Sequence, residues 1–463
     1  MQREPPGVLD AWVAIGSLPG RVGRDALTEQ TDGIDGEAPP ITRRQIAAAV
    51  MGNALEFYDF TTYALFAVQI GHVFFPTGTP FQTLMLSLAT FSVGFVARPI
   101  GAVVLGAYGD RAGRRPAMML SFVLMGLGVL GLVLTPSYAA IGAAAPVLLV
   151  AFRLLQGFAL GGEVGPTTAF LIEAAPLNKR AQIGAWQSAS QAVASLFGAT
   201  VGLVMTQLMT PHDLETYGWR IAFGLGAVVL PFGLWLRRNL PETLHRREVP
   251  SRHHPTARGP LSHARPILLG LAMIMSFTTS TYVLLYMTTY ASQTLHMSPS
   301  ASFGASVANG LSGIIFALLG GYLADRYGRK PVMITARVLL LLATYPAFLL
   351  IVHNLNAVTL ISATGLLAAL SSTSVGVALV ALTESLRKDV RSSGLAIVYA
   401  VGVTVFGGVA QPFITWVIKE TGDPMAPAWY LMAAAAVGIA AMSFLKETKP
   451  EPIEDARALI ETG

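Results

Sequence analysis

GAYGDRAGRRP, residues 106–116, returns later in the chain as GYLADRYGRKP, residues 321–331. Each copy joins two long apolar runs and places an aspartate, several basic residues and glycines in a short polar loop. A second pair of charges repeats with the same spacing, Glu173 with Arg180 and Glu384 with Arg391. The repetition predicts two halves of similar structure.

The composition indicates a membrane protein. Apolar residues make up 53% of the 463 residues and charged residues only 12%, about half the charged share of a soluble domain. This excludes a soluble enzyme, a coiled coil and a disordered chain, and it argues against an outer-membrane barrel, whose strands alternate. Twelve apolar runs are long enough to span a bilayer: 46–72, 81–107, 116–135, 145–173, 182–209, 219–237, 266–293, 300–323, 332–352, 357–383, 392–418 and 428–445.

The basic residues are concentrated in the loops that follow the even-numbered runs. The net charge of +5 therefore predicts orientation rather than nucleic-acid binding, because cytoplasmic loops are enriched in Lys and Arg. We expect both termini in the cytoplasm. The predicted parts are a disordered cytoplasmic tail, a six-helix bundle, a cytoplasmic linker, a second six-helix bundle and a cytoplasmic tail: residues 1–43, 44–238, 239–265, 266–446 and 447–463.

These observations predict an all-α integral membrane protein with twelve transmembrane helices in two pseudo-symmetric six-helix bundles. Parallel repeats of this kind are typical of secondary transporters. No lysine follows a glycine, so a P-loop that would use ATP is not expected. The chain has no cysteine, and we found no nucleophile or metal-ligand pattern. We therefore expect no enzymatic activity, no catalytic residue, no metal and no cofactor.

Several motifs resemble a known family. The two repeated loops resemble the signature loop of the major facilitator superfamily. Residues 52–60 (GNALEFYDF), 97–101 (ARPIG), 153–163 (RLLQGFALGGE), 186–191 (WQSASQ) and 217–220 (YGWR) resemble the metabolite:proton symporters of that superfamily. Within that group the chain is most similar to the citrate–proton symporters, at residues 136–138 with 141–142 and 406–408 with 421–423. The resemblance implies proton-coupled import, and citrate or a related di- or tricarboxylate is the expected substrate.

Other substrates remain open. Relatives in the same group carry aromatic acids and zwitterionic osmolytes such as betaine and proline. The osmosensing relatives end in a long coiled coil, whereas here only a short tail follows the last run. Drug export is disfavoured because run 5 reads GATVG at residues 198–202, without the Gly-Pro pair of exporters. A membrane sensor or scaffold that transports nothing would not require charges inside the spans.

The charged residues inside the spans are concentrated in the first half. A charge in a span costs about 2.5–3.5 kcal/mol even on the mildest scale, so each is a functional candidate. We expect Arg98 and Arg153 to bind substrate carboxylates, since the guanidinium fork matches a carboxylate. We expect Glu56, Asp59 or Glu163 to carry the proton. The alternative is that these residues only form ion pairs between helices.

Two arginines are difficult to place from the sequence. The helical rise puts Arg153 far toward the outside, whereas the resemblance to sugar porters pairs it with Asp59. Arg337, in the second half, lies near a cytoplasmic end and is expected to reach the surface by snorkelling.

The second half offers neutral candidates. Tyr282, Tyr286 and Tyr290 form one stripe on run 7, which fits either substrate contact and an outer gate or ordinary packing. Asn309 and Gln411 are further candidate contacts with the substrate.

The repeated loops are predicted to form a gate. Asp110 would lie at the N-terminal end of helix 11 near Arg391, and Asp325 at that of helix 5 near Arg180, where the helix dipole favours an anion. The gate residues predicted from the two repeated motifs are Asp110, Arg111, Arg114, Asp325, Arg326, Arg329, Glu173, Arg180, Glu384 and Arg391. The alternative is a loop that only sets topology.

The expected partners are a small organic anion, protons and the lipid bilayer. Nucleic acid is not expected. We expect a monomer in a bacterial-type cytoplasmic (inner) membrane, crossing it many times.

Overall fold

Long helices occupy all twelve apolar runs. The computed structural model describes residues 43–76, 78–112, 114–161, 171, 175–238, 261–385 and 398–449. The helices are α1 (Arg43–Leu65, continued by Ala67–Phe74), α2 (Pro80–Ala112), α3 (Arg114–Leu134), α4 (Ala144–Gly161), α5 (Arg180–Leu208), α6 (Trp219–Arg238), α7 (Leu261–Gln293), α8 (Pro299–Tyr327), α9 (Arg329–His353), α10 (Ala357–Ser385), α11 (Val398–Thr421) and α12 (Ala426–Ser443). Within these ranges, nine helices are long and apolar enough to cross a membrane, and Met119–Leu134 in α3 is a shorter apolar helix.

The predicted linker is shorter than expected at its C-terminal end. Helix α7 begins at Leu261, within the range 239–265 that was predicted to be linker. Apolar patterning missed this start because Leu261 to Arg265 include a serine, a histidine and an arginine. The predicted tail 1–42, most of the linker (239–260) and residues 450–463 lie outside the described residues.

One face of the molecule carries the ends that bear the repeated motifs. Helix α8 ends at Tyr327 and α9 begins at Arg329, while α5 begins at Arg180. These ends meet, because the Asp325 carboxylate accepts hydrogen bonds from the α5 backbone. We call this side the basic face. It is the side that the charge pattern predicts to be cytoplasmic.

Helices α2 and α4 are in backbone contact inside the first half. A β-carbon at Gly157 would lie 1.8 Å from Gly94 O, and one at Gly161 would lie 2.0 Å from Arg98 O. Small residues spaced in this way allow two helices in a bilayer to approach closely. The contact fixes the positions of Arg98 on α2 and Arg153 on α4 relative to each other.

Helices α5 and α8 join the two halves through a glycine seam. A β-carbon at Gly310 would lie 2.7 Å from Leu196 Cα, and one at Gly321 would lie 2.7 Å from Ala181 O. Since Gly310 is mid-helix and Gly321 is near the basic face, the contact extends over much of both helices.

Helices α2 and α11 join the halves through carbonyl groups that prolines have released. Pro99 has no N–H to offer Phe95 O, the acceptor four residues earlier. That oxygen instead accepts a hydrogen bond of 3.0 Å from Thr404 Oγ1 on α11. Pro412 on α11 releases Gly408 O in the same way, and this oxygen accepts a hydrogen bond from Ser92 Oγ on α2. The second seam is therefore polar, whereas the glycine seam is made of close packing.

Candidate functional site

A central cavity of about 90 Å³ lies between the two halves. Five helices supply most of its wall, three from the second half and two from the first. Its polar lining consists of hydroxyl and amide groups: Thr61, Ser188, Gln191, Ser195, Thr281, Tyr282, Asn309, Ser371 and Ser372. Among the described residues that line it, none carries a formal charge. The cavity can therefore offer hydrogen bonds to a polar solute at once, but a carboxylate would meet no cation there.

An aromatic cluster closes the cavity on the side of the first half. Phe60 on α1 is its centre, with its ring centroid 4.7 Å from that of Phe91 and 4.9 Å from that of Phe95. Tyr282 of α7 joins from the second half, 5.3 Å from Phe95. Phe60 and Tyr282 line the cavity. The sequence did not single out these phenylalanines, since a phenylalanine in an apolar run gives no distinguishing signal.

Arg98 lies behind this cluster and is only 5% exposed. Its guanidinium carbon is 4.3 Å from the centroid of the Phe60 ring and 4.2 Å from that of Phe95. Among the described residues, its Nε and Nη2 atoms have no hydrogen-bond partner and no carboxylate forms an ion pair with it. Ring faces compensate a buried cation only in part, by about 0.5–2 kcal/mol. The group retains two donor nitrogens for an anion.

Arg153 on α4 lies beside Arg98 in the same cluster. Its guanidinium carbon is 4.4 Å from the Tyr63 ring centroid and 5.3 Å from that of Phe60. Nη1 donates a hydrogen bond of 2.7 Å to Gln156 Oε1, whereas Nε and Nη2 have no acceptor among the described residues. The site therefore holds two neighbouring guanidiniums, each with unused donors.

The expected pairing of Arg153 with Asp59 is wrong as a direct contact. Asp59 is buried and close enough to interact electrostatically with Arg153, but no ion pair joins them within the described chain. The Asp59 carboxylate lies instead against α6, where a β-carbon at Gly226 would be 2.5 Å from Oδ1. The physical reason is that Arg153 is level with Tyr63, one helical turn beyond Asp59 on α1.

Glu56 is also buried on α1, one turn before Asp59. A polar network ties this part of α1 to α5. Asn53 Nδ2 donates to Ser190 Oγ at 2.7 Å, and Gln187 Nε2 donates to Asn53 Oδ1 at 3.1 Å. Both carboxyl groups are thus held on a helix whose orientation is fixed by hydrogen bonds. Glu163, the third proposed proton carrier, lies outside the described residues.

The candidates from the second half separate into two groups. Tyr282 and Asn309 line the cavity. Tyr286 does not line it, and its hydroxyl shares a hydrogen bond of 2.8 Å with Thr415 of α11. Gln411 is buried, also away from the cavity lining, and its two side-chain polar atoms have no partner among the described residues. The stripe on α7 is therefore divided between the cavity and packing against α11.

Asp325 at the basic face joins the two halves. Its carboxylate accepts hydrogen bonds from Ala181 N at 3.0 Å and from Gln182 N at 2.9 Å, at the start of α5. This is the position that the repeated motif predicted. The first N–H groups of a helix have no partner within the helix, and the helix dipole adds to the attraction. We call this contact the Asp325 clamp; its role in gating stays a prediction.

Three more of the predicted gate residues surround the clamp. Arg329 is buried and lies 3.2 Å from both Asp325 Oδ1 and Glu384 Oε2. Arg180 of α5 approaches Glu384 Oε1 at 3.6 Å, which adds a second charge contact between the halves. One buried guanidinium thereby fixes the two carboxylates that face α5.

The other predicted gate residues are either exposed or only partly within the described residues. Arg111, in the last turn of α2, and Arg326, in the last turn of α8, are exposed. Asp110 and Arg114 lie in helical segments, but their side chains fall outside the described residues, as do Glu173 and Arg391 altogether. The predicted contact between Asp110 and the start of α11 stays a prediction.

The expectation that Arg337 reaches the surface is wrong. Its side chain is 0% exposed and its Nη1 donates a hydrogen bond of 2.6 Å to Ser280 Oγ on α7. Arg337 lies eight positions after Arg329, about 12 Å along α9, and the side chain turns toward α7 instead of back to the interface. Nε and Nη2 have no partner among the described residues. The second half therefore also contains a buried cation, although away from the central cavity.

Glu447, just after α12, caps the start of α9. Its carboxylate accepts hydrogen bonds from Arg329 N at 2.9 Å and Lys330 N at 3.0 Å. Partial burial opposes ionisation, but these bonds and two more from Lys449 N and Thr448 N outweigh it, so the pKa of Glu447 is lowered. The ionised carboxylate thus holds the segment just after α12 at the start of α9, beside the Asp325 clamp.

We predict a pH-dependent effect of Glu447→Gln. A carboxyl group whose pKa is lowered by folding stabilises the fold above its ordinary pKa and loses that contribution as the pH falls through the folded value. The free energy of unfolding of the variant should be about 0.5–1 kcal/mol lower than that of the parent at pH 7, which is a typical contribution of a helix cap at a solvated site. At strongly acidic pH the two proteins should be equally stable. Thermal unfolding in detergent at several pH values measures this. Glu420→Gln, at an exposed position near the end of α11, is the control. Equal losses at neutral and acidic pH would contradict the prediction.

Comparison with known proteins agrees with this architecture. Residues 45–248 match the family described as Sugar (and other) transporter, and residues 269–459 match the Major Facilitator Superfamily. The chain is 34% identical over 417 residues to a citrate-proton symporter of Klebsiella pneumoniae, covering 89% of this chain and 94% of that protein.

The chain is also similar to a second transporter and to a solved structure. The chain is 32% identical over 430 residues to a proline/betaine transporter of Escherichia coli K12, covering 89% of this chain and 85% of that protein. A crystal structure of a D-xylose-proton symporter superposes with a TM-score of 0.69 at 19% identity, covering 88% of this chain and 98% of that one. The chain belongs to the major facilitator superfamily, within its metabolite:proton symporter family.

Proposed function

We propose that this symporter imports an organic anion, citrate or a related di- or tricarboxylate, together with protons. One observation carries the proposal. Arg98 is a buried guanidinium with two unused donors and no carboxylate partner in the described chain. An isolated buried charge is costly unless it is paired. A substrate carboxylate would supply the missing partner, and Arg153 would supply further donors beside it.

Protons would balance the negative charge of the substrate. Glu56 and Asp59 are buried on α1, and Asp59 interacts electrostatically with Arg153. Protonation of one carboxyl group would remove a negative charge that otherwise competes with the substrate for the guanidiniums. We assign proton coupling to Glu56, Asp59 and Glu163 as a group, because Asp59 is in electrostatic contact with Arg153. When that carboxyl group loses its proton, the carboxylate would again compete for the guanidiniums, so that proton and substrate would be released together.

Alternating access would come from movement of residues 44–238 against residues 266–446. The Asp325 clamp and the pair Arg180–Glu384 would hold the basic face closed and break when that face opens. The α2–α11 seam consists of single hydrogen bonds, which can be exchanged for water during the movement. We propose that the protein acts as a monomer in a bacterial inner membrane, with the basic face and both termini in the cytoplasm.

A zwitterionic osmolyte is the second candidate, supported by the similarity to a proline/betaine transporter. Aromatic faces can bind quaternary ammonium groups, and Phe60, Phe95 and Tyr282 form a cluster of such faces. Here, however, guanidiniums already cover Phe60 and Phe95. These cations would repel an ammonium group, which favours the anion. An aromatic acid would fit the charge but would leave most of the hydroxyl lining unused.

Uptake into proteoliposomes tests the proposal. Purified protein should accumulate labelled citrate when an inward proton gradient is imposed, and accumulation should cease when the gradient is collapsed. Succinate, benzoate, betaine and proline would be tested as competitors on the same vesicles. Accumulation of labelled betaine with no inhibition by any carboxylic acid would reject the anion proposal in favour of the osmolyte.

A further inference from the structure

Phe60 borders two separate cavities. Phe60 lines the central cavity. It also lines a small cavity of about 10 Å³ inside the first half, with Gly94, Met125, Arg153, Gln156, Gly157 and Leu160. That volume is close to the minimum for one water molecule. Phe60 is therefore shared by the two cavities.

Both guanidiniums are in contact with the Phe60 ring. The Arg98 and Arg153 guanidinium carbons are 4.3 and 5.3 Å from the Phe60 ring centroid, and neither arginine lines the central cavity. A solute in the central cavity therefore meets the hydroxyl and amide groups first. It reaches the cations only if the ring moves.

A carboxylate would compete with the ring for the guanidiniums. A cation–π contact contributes less than hydrogen bonds between a guanidinium and a carboxylate, which are charge-assisted and can be bidentate. Arg153 also has room beside it, because Gly94 has no side chain and a β-carbon there would lie 3.5 Å from Nη2. The exchange of one partner for the other is thus favourable for an anion and unfavourable for a neutral solute.

We propose that Phe60 is an internal gate, which separates the central cavity from Arg98 and Arg153 and is displaced by the carboxylate of the substrate. Phe60 would then help to determine specificity. The identity of the anion rests on the proposed function, whereas the separation of the two cavities does not.

Chemical labelling of the arginines tests the separation without transport. Phenylglyoxal, which modifies accessible guanidiniums, would be applied to purified protein, and modification would be mapped by mass spectrometry. In Phe60→Ala, labelling of Arg98 and Arg153 should rise about tenfold relative to the parent, which corresponds to about 1.4 kcal/mol. Exposed Arg326 serves as the internal reference. Equal labelling in parent and variant would overturn the proposal.

Two further variants make the result specific. Phe91→Ala is the matched control for Arg98. Phe91 belongs to the same aromatic cluster but lines neither cavity, and its ring lies 5.5 Å from the Arg153 guanidinium carbon, whereas the rings over Arg98 are those of Phe60 and Phe95. Labelling of Arg98 should stay near that of the parent, and an equal rise of Arg98 labelling in Phe91→Ala would also overturn the gate. Phe60→Leu replaces Phe60→Ala if size-exclusion profiles show that the latter misfolds, and it should give an intermediate increase.

Labelling in the presence of citrate tests this inference and the proposed function separately, because bound citrate would protect the arginines from phenylglyoxal. If Phe60 controls labelling and citrate reduces it, both stand. If Phe60 controls labelling but neither citrate nor succinate protects the arginines, the gate stands and the anion assignment fails. If citrate protects and labelling does not depend on Phe60, the gate fails and the anion assignment stands.

Discussion

Arg98→Ala lowers citrate uptake at subsaturating concentration by at least about 100-fold. Two donor nitrogens of the guanidinium have no partner among the described residues, and two hydrogen bonds to a charged group contribute about 3–6 kcal/mol together. Arg98→Lys should retain part of the activity, because the charge stays while the two-pronged geometry is lost. Initial rates in proteoliposomes, over a range of citrate concentrations, measure both variants.

Arg337→Lys is the matched control for Arg98→Lys. Arg337 is equally buried within a span but bonds to Ser280, away from the central cavity. Its variant should transport within a few-fold of the parent, so a loss comparable to that of Arg98→Lys would indicate that replacing any buried guanidinium in the bundles impairs folding. Retention of normal uptake by Arg98→Ala itself would remove the guanidinium from the substrate site.

Asp325→Asn slows transport by about 10- to 100-fold while citrate binding stays near that of the parent. The carboxylate accepts two backbone hydrogen bonds across the halves and contacts Arg329. The amide of asparagine keeps one acceptor oxygen but has no charge. The closed contact should therefore be weakened by about 1.5–3 kcal/mol, the contribution of a hydrogen bond to a charged group. The basic face should therefore spend more time open, and the step that closes it should become limiting.

The absence of cysteine from the chain allows this opening to be measured directly. Ser188→Cys places a single thiol in the central cavity. A membrane-impermeant maleimide applied from the basic face should react faster when Asp325→Asn is also present. Asp423→Asn is the control, because Asp423 also accepts a backbone hydrogen bond at a helix start, from Met425 N, but within the second half. Unchanged thiol reactivity in Asp325→Asn would contradict the clamp.

The helices and the clamp were predictable from the sequence for clear physical reasons. Apolar runs of span length must form helices in a bilayer, because every backbone polar group needs a partner. The repeated aspartate signalled the contact of Asp325 with α5, since a carboxylate in a basic loop needs donors. The first prediction required no knowledge of which helices are neighbours, whereas the second assumed that the loop after run 8 lies beside the start of helix 5.

Other features depend on neighbours that the sequence does not reveal. Arg337 was expected to reach the membrane surface because the sequence indicates its distance from the end of α9 but not that Ser280 of α7 lies beside it. Phe60 was missed because its significance comes from two guanidiniums on other helices. Pro99 and Pro412 are common residues in spans, and their released carbonyls acquire a role only because α2 and α11 lie side by side.

The measurement that tests the central claim most directly is the lumenal pH of proteoliposomes when citrate is added outside at equal pH. A symporter that carries protons with the anion must acidify the lumen, at a rate that follows citrate uptake and that falls with Arg98→Ala. Betaine added in the same way should cause no acidification. Citrate entry without any change in lumenal pH, or acidification that betaine produces equally well, would contradict the account.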